Sequence, residues 1–315
     1  MNVYLSFDVE VWCNGWSELD VRFPGSFDRY VYGRSSRGNF ALPKTLEILN
    51  RYGLRGVFFV EPLFSARFGE IYLDEIVGLI SSAGHDIQLH LHPEWVDEIF
   101  PGLIDDFRVK RQYLSAYTQE EQSALIAWGK RALERVVKHK ITAFRAGSYA
   151  ANSDTYVALA ENEIYIDSSL NACMPIDGSD MRAAVAAGAP WRQGNVLTYP
   201  VTVFRDGFGR YRPAQVGACS FEELKQALLD AASNGAEHFV IVSHNFEMLK
   251  TGRSAPDLIV ANRFEQLCKY LSVNSEVFKT SSFDRVDSGC PWVTPTVSFA
   301  ATGRRFIEQS LRRMF

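Results

Sequence analysis

Hydrophobic positions along the chain follow two periods in alternation. Short apolar runs, rich in β-branched and aromatic residues and ending in charged or polar ones, are separated by stretches in which apolar residues recur every three or four positions. The first run, Val3 to Phe7, ends in Asp8-Val9-Glu10, where the alternation of a strand sets both carboxylates on one side. Val11 to Asn39 lacks a helical period and mixes Trp, Tyr, Phe, Gly, Ser and Arg, which predicts a long loop after the first strand. Pro43 opens a helix through Leu46, Leu49 and Tyr52, and Gly53 closes it. A second run, Gly56 to Val60, ends in Glu61-Pro62, and a helical pattern over Tyr72 to Ala83 stops at Gly84. In AGHDIQLHLHPEW, Ile87, Leu89 and Leu91 then alternate with Gln88, His90 and His92. This predicts a third strand that projects both histidines from one face and is stopped by Pro93.

The same alternation continues. Asp97 to Tyr117 carries no assignable pattern, but Thr118 and Glu121 form a capping box ahead of a helix through Leu125, Leu133 and Val137. Ile141 to Arg145 is a brief run, Asp154 to Glu161 is helical, and Ile164 to Ile166 leads into Asp167-Ser168-Ser169. Asn171 to Asn195 reads as an irregular insertion, and Val196 to Val203 as a strand running into an aromatic and basic loop up to Pro213. Ser220 with Glu223 caps a helix that stops at Gly235, Phe239 to Val242 ends in Ser243-His244-Asn245, and Phe264 to Leu271 is helical. Strands alternating with capped helices predict a parallel α/β architecture. In barrels of that kind the active site lies at the carboxyl ends of the strands. Asp8, Glu10, His90, His92, Arg145, Asp167 and His244 all fall at such ends. A solvated strand end explains any one of them but not a histidine, acid or arginine at nearly every tip.

Composition adjusts this picture only slightly. At 315 residues the chain exceeds the usual domain of about 100–200 residues but suits one barrel with insertions. A hydrophobic content of 47% supplies a large core, and a net charge of −4 gives no reason to expect nucleic acid. The five cysteines, Cys13, Cys173, Cys219, Cys268 and Cys290, are odd in number and widely spaced without a C-x-x-C pair, so they read as reduced thiols. There is no apolar run of membrane-spanning length, and MNVYLSFDVE lacks the features of a signal peptide, which predicts a cytoplasmic protein. Arg304 to Phe315 is basic and amphipathic. Weak contact with anionic lipid is one use for such a segment, and ordinary packing of the terminus is the preferred one.

The islands SFDVE, GHDIQLHLHPEW, FRAGSY, IDSS and IVSHN, in that order, resemble the five-motif signature of the NodB-type polysaccharide deacetylases. The resemblance implies a distorted (β/α)7-type barrel over residues 1–275, with 276–315 as an extension. It also implies a metal-dependent amidase that removes an N-acetyl or related N-acyl group from an amino sugar. Three departures stand out. The family's first motif has two adjacent aspartates, where this chain has Asp8, Val9 and Glu10. Its second motif has histidines four apart, whereas four residues after His90 comes Glu94. Its arginine motif has a proline where this chain has Gly147.

Carried onto these positions, the family's roles make Asp8 the general base, Arg145 its ion partner, His244 the general acid and Asp167 the group that orients His244. A divalent ion, with zinc first among candidates, is held either by His90 and His92 with Glu10 or Asp8, or by His90 and Glu94. The first set is preferred because imidazole is a good zinc ligand and Pro93 interrupts the extended register before Glu94. His85, His139 and His238 precede strands and receive no role. In the Val11–Asn39 segment, Trp12, Trp16, Phe23, Tyr30 and Tyr32 could stack on a sugar ring, but packing of the loop onto its own domain is the preferred account. A cytoplasmic amidase of this kind would meet a nucleotide-linked sugar or a lipid-linked glycan, as in building an O-antigen or capsule. Two other readings fit the same residues: a C–N hydrolase acting on a small linear or cyclic amide, and a non-catalytic carbohydrate-binding protein on a decayed barrel.

Overall fold

The two sequence periods become short strands and capped helices. A computed structural model describes residues 1–105, 108–174, 191–251, 255–283 and 292–314. Residues 175–190 of the expected insertion, and Cys290, lie outside the described residues. The strands are β1 (Asn2–Val9), β2 (Arg34–Ser35), β3 (Gly38–Asn39), β4 (Gly56–Val60), β5 (Asp86–Leu91), β6 (Ala143–Ala146), β7 (Ile166–Asp167), β8 (Trp191–Gln193), β9 (Val196–Thr198), β10 (Val203–Arg205), β11 (Tyr211–Pro213), β12 (His238–His244) and β13 (Lys279–Thr280). The helices are α1 (Leu19–Phe27), α2 (Leu42–Arg51), α3 (Phe64–Phe68), α4 (Glu70–Ser82), α5 (Gln119–Val137), α6 (Ser153–Glu161), α7 (Phe221–Ser233), α8 (Leu258–Val273) and α9 (Phe299–Met314). The chain divides into two compact units, Met1–Gly56 with Thr202–Ser282 and Cys290–Phe315, and Val57–Val201 with Phe283–Gly289.

In the first unit β1 lies parallel to β12, from Asn2 opposite His238 to Asp8 opposite His244, and β13 adds Lys279 and Thr280 beside Asn2 and Val3. Val3, Leu5, Phe7, Val240, Ile241 and Val242 are buried, as expected of strands covered on both faces. The capping box of Ser220 and Glu223 starts α7, and Asp257 caps α8 by accepting from Val260 N.

Two expectations for this unit are corrected. Part of the long loop expected over Val11–Asn39 is helical: α1 runs into a single π-helical turn, Asp28–Tyr32, and β2 pairs with β3. Leu19, Phe23, Phe27 and Val31 form a buried stripe four residues apart, and that burial outweighs Pro24 and Gly25 inside the segment. The expected loop up to Pro213 contains an antiparallel pair, β10 with β11. Its turn is organised by Asp206, which accepts from the backbone N–H of Phe208 and Arg210.

The terminal helix α9 is tied to this unit by ion pairs. Arg305 meets Asp206 and Glu223, Arg312 meets Asp257, and Glu308 meets Arg263. Two arginines of its basic face are therefore engaged by carboxylates of the same unit, while Phe306, Ile307 and Leu311 stay exposed. No described helix is long and apolar enough to cross a membrane.

In the second unit β4, β5, β6, β7 and β9 are parallel neighbours in that order, and β8 closes the edge antiparallel to β9. Pairing sets Leu91 beside Ala146 and Phe144 beside Asp167, so the carboxyl ends of β5, β6 and β7 share one end of the unit. Helix α4 ends at Gly84 in the left-handed region (φ +81°), and the box of Thr118 and Glu121 starts α5 as the sequence predicts. The strand expected over Val196–Val203 is broken, with β9 ending at Thr198 and β10 starting at Val203. Pro200, which has no N–H to give to a ladder, lies between them.

Candidate active site

In the first unit the parallel register brings the end of β1 against the end of β12. Asp8 and Glu10 are buried, and His244 Nε2 lies 4.0 Å from Asp8 Oδ2. Asn245 fixes the backbone here. Its own N–H donates to Asp8 O (3.1 Å), its Oδ1 accepts from Glu10 N (3.1 Å), and its Nδ2 donates to Glu10 O (3.2 Å) and Tyr30 O (2.6 Å). Trp12 Nε1 donates to Glu10 Oε2 at 2.6 Å, which points one aromatic of the Val11–Asn39 segment at a predicted site residue. Ligand atoms of Asp8, Glu10 and His244 lie within 4.8 Å of one another, a grouping able to hold a cation.

The other ring nitrogen of His244, Nδ1, lies 3.0 Å from Glu247 Oε1, a carboxylate that can only accept, so Nδ1 is the donor. Desolvation works to lower the His244 pKa. The Glu247 hydrogen bond and the charges of Glu10, Glu247 and Asp8 outweigh it and raise the value to about 9. Sequence reasoning assigned this orienting role to Asp167, and the described contact brings a different carboxylate to the ring. The carboxylate on His244 is Glu247, three residues on in the turn after β12. The sequence signal was present as His-x-x-Glu in SHNFE.

In the second unit β5 and β6 pair His90 with Arg145. His90 Nδ1 donates to Arg145 O at 2.7 Å, and His92 Nδ1 to Glu94 Oε2 at 3.2 Å. Both acceptors lack protons, so a neutral ring in each case carries its hydrogen on Nδ1 and presents an Nε2 lone pair. The rings pack edge to face with centroids 4.8 Å apart, and His90, His92 and Glu94 are all buried. The short 3-10 turn Pro93–Glu98 folds Glu94 back onto His92. Gly147 is explained by the same ring: a Cβ there would lie 2.6 Å from His92 Nδ1 and 2.7 Å from both its Cε1 and Leu91 O. Any larger residue at 147 would displace the imidazole.

Arg145 is fully buried. Its guanidinium lies over the Phe59 ring, 4.3 Å from the centroid, and donates from Nε to Ser168 O and from Nη2 to Ser168 Oγ. Asp167 accepts from Ser169 N, Ser169 Oγ and Tyr156 OH. Burial lifts its carboxyl from 3.8 to about 6 against those hydrogen bonds and the Arg145 charge. Ser168 and Ser169 of the IDSS island thus bind the arginine and the aspartate in place. His85, which received no role, lies at the entry to β5 against the Phe58 ring, with centroids 5.5 Å apart.

Comparison with known proteins bears on this geometry. The family model for polysaccharide deacetylase matches residues 26–165. Across that segment the chain is similar to the polysaccharide deacetylase family. No curated protein matches the sequence. Among solved structures, a putative polysaccharide deacetylase from Mycobacterium smegmatis is similar at 18% identity and a TM-score of 0.53, covering 91% of this chain and 94% of that one. A family 4 carbohydrate esterase from Streptomyces lividans, in complex with acetate, is 12% identical, covers 93% and 97%, and has a TM-score of 0.46. A pseudoenzyme of that esterase family from Bacillus anthracis is 12% identical, covers 84% and 61%, and has a TM-score of 0.39. The first likeness shows the fold, the distorted (β/α) barrel class of the polysaccharide deacetylases.

Proposed function

We propose that this chain is a metal-dependent amide hydrolase that removes an N-acetyl or related N-acyl group from an amino sugar. The observation that carries the reading is the pair of buried imidazoles on β5, each with Nδ1 held by an acceptor so that Nε2 is left as a ligand atom. Ligating histidines are oriented by this type of outer hydrogen bond. Two such imidazoles suit a divalent ion, the resemblance adds Glu10 as the carboxylate holder beside His90 and His92, and zinc is the ion best matched to two imidazoles and a carboxylate. Glu94 then supports His92 and is not itself a ligand. A second arrangement, Asp8 with Glu10 and His244, is favoured by the 4.8 Å grouping of their ligand atoms.

An ion so held supplies a Lewis acid for the acyl carbonyl and lowers the pKa of water at the site. The chain's own residues manage the protons. Asp8 takes the proton of the attacking water, and the resemblance assigns Arg145 as its ion partner. His244, cationic at neutral pH with its pKa raised to about 9, gives its Nε2 proton to the departing amine nitrogen while Glu247 holds Nδ1. Asp167 stabilises the strand ends through Ser169 and Tyr156. The substrate we infer is a nucleotide-linked sugar or a lipid-linked glycan met in the cytoplasm during the making of a surface polysaccharide.

The test combines acetate release from N-acetylated sugars with metal content in the wild type, His90→Ala, His92→Ala, Glu94→Ala and His244→Ala. The reading expects metal loss in the first two variants and full metal with little activity in His244→Ala. Loss of metal in His244→Ala, with retention in His92→Ala, selects the second arrangement. Loss in Glu94→Ala comparable to that in His90→Ala makes Glu94 the ligand.

A further inference from the structure

Within the first unit a cavity of about 420 Å³ opens beside His244, inside the range of about 300–1,000 Å³ typical of small-molecule sites. Its lining includes Arg29, Tyr30, Phe246, Glu247, Lys250 and Arg312. Three cationic side chains on one small cavity are not the general character of a chain whose net charge is −4.

The carboxylate among these residues is already satisfied. Glu247 Oε1 accepts from His244 Nδ1 and Gln215 Nε2, and its Oε2 from Gly217 N and Ser243 Oγ. Arg312 forms a fixed wall, with Nε on Asp257 and Nη1 on Gly217 O. Arg29 differs. It sits on the π-helical turn, a deviation often found at functional sites, with its guanidinium 5.4 Å from the centroid of the Tyr30 ring and no carboxylate partner among the described residues. The turn is held to the catalytic strand end, because Tyr30 O accepts from Asn245 Nδ2.

We propose that this cavity is a subsite for a phosphate group attached to the amino sugar, bound by Arg29 and Lys250 next to the acid His244. The proposal rests on the deacetylase reading and deepens it. A phosphate offers the oxygen acceptors that a guanidinium and an ammonium bind with charge-assisted hydrogen bonds. It is also the chemistry shared by nucleotide-linked and lipid-linked sugars. Tyr30 and Phe246, edge to face with centroids 5.0 Å apart, give the cavity a rigid aromatic side.

The experiment is calorimetric binding to the metal-loaded enzyme, with acetate release measured in parallel. The probes are N-acetylglucosamine 1-phosphate, UDP-N-acetylglucosamine, a short polyprenyl diphosphate N-acetylglucosamine and neutral diacetylchitobiose. Wild type should bind the phosphorylated sugars about tenfold or more tightly than the neutral one, with the preference falling as salt rises. Arg29→Gln and Lys250→Gln should each weaken the phosphorylated ligands by about tenfold and leave the neutral sugar unchanged. Arg29→Lys should retain most of the preference, which separates a charge effect from a misfolded turn. A better fit for the nucleotide or for the polyprenyl compound identifies the source of the phosphate. Equal affinity for neutral and phosphorylated sugars, or charge variants without effect, overturns the subsite even if acetate is released. Tight phosphate-dependent binding without acetate release from any probe overturns the deacetylase reading and leaves the subsite standing.

Discussion

Single residues make the site specific. Glu247 was missed because its role depends on a turn that returns it to His244, and strand patterning gives no information beyond the strand end. Replacing Glu247 by Gln removes the hydrogen bond and one of the charges that raise His244. The His244 pKa should then fall, and the alkaline limb of the kcat/KM profile should move to lower pH by a unit or more, about the size of one charge-assisted contact. A pH–rate series on wild type and Glu247→Gln checks this. An unmoved limb would mean that His244 is not the titrating acid. Gly147 is the other informative residue. Gly147→Ala places a methyl group within 2.7 Å of the His92 ring and the Leu91 carbonyl, and should weaken metal affinity by about tenfold or more while leaving the protein folded. Competition with a chelator of known affinity reads this directly. The sequence marked position 147 as a departure without its cause, since nothing in one dimension says that the ring two residues past His90 occupies that space.

At the scale of elements, strands with a clear period and helices with a capping signal were legible. Thr118 with Glu121 and Ser220 with Glu223 form the expected boxes. Helix α1 was not legible because its stripe of Leu19, Phe23 and Phe27 is interrupted by Pro24 and Gly25 and its start has no side-chain cap. The β10–β11 pair was hidden because three-residue strands carry too few alternations to read, even though Asp206 marked their turn. Caps are separable from chemistry. Thr118→Ala should cost about 1 kcal/mol of stability in denaturant melts, with kcat unchanged, because α5 contributes no proposed ligand or proton carrier. Unchanged stability would show that the Arg111–Glu121 ion pair holds the helix start without the cap.

On the scale of the whole molecule, the order of charged strand tips in the sequence carried most of the candidate site. A chain 18% identical to a solved structure still shares its fold because buried strand patterns tolerate substitution. A bound ion adds stability by mass action, since the unfolded chain cannot present spaced ligands together. Metal-stripped protein given zinc at about 100 times its dissociation constant should gain about 2.7 kcal/mol and melt several degrees higher. His90→Ala should not respond.

Metal stoichiometry in the purified protein tests the central claim most directly. Under metal-replete conditions the wild type should hold one divalent ion per chain, His90→Ala and His92→Ala should hold almost none, and His85→Ala, altered at the entry of the same strand, should hold the full complement. A metal-free wild type, or a His92→Ala protein as fully loaded as the wild type, would contradict it.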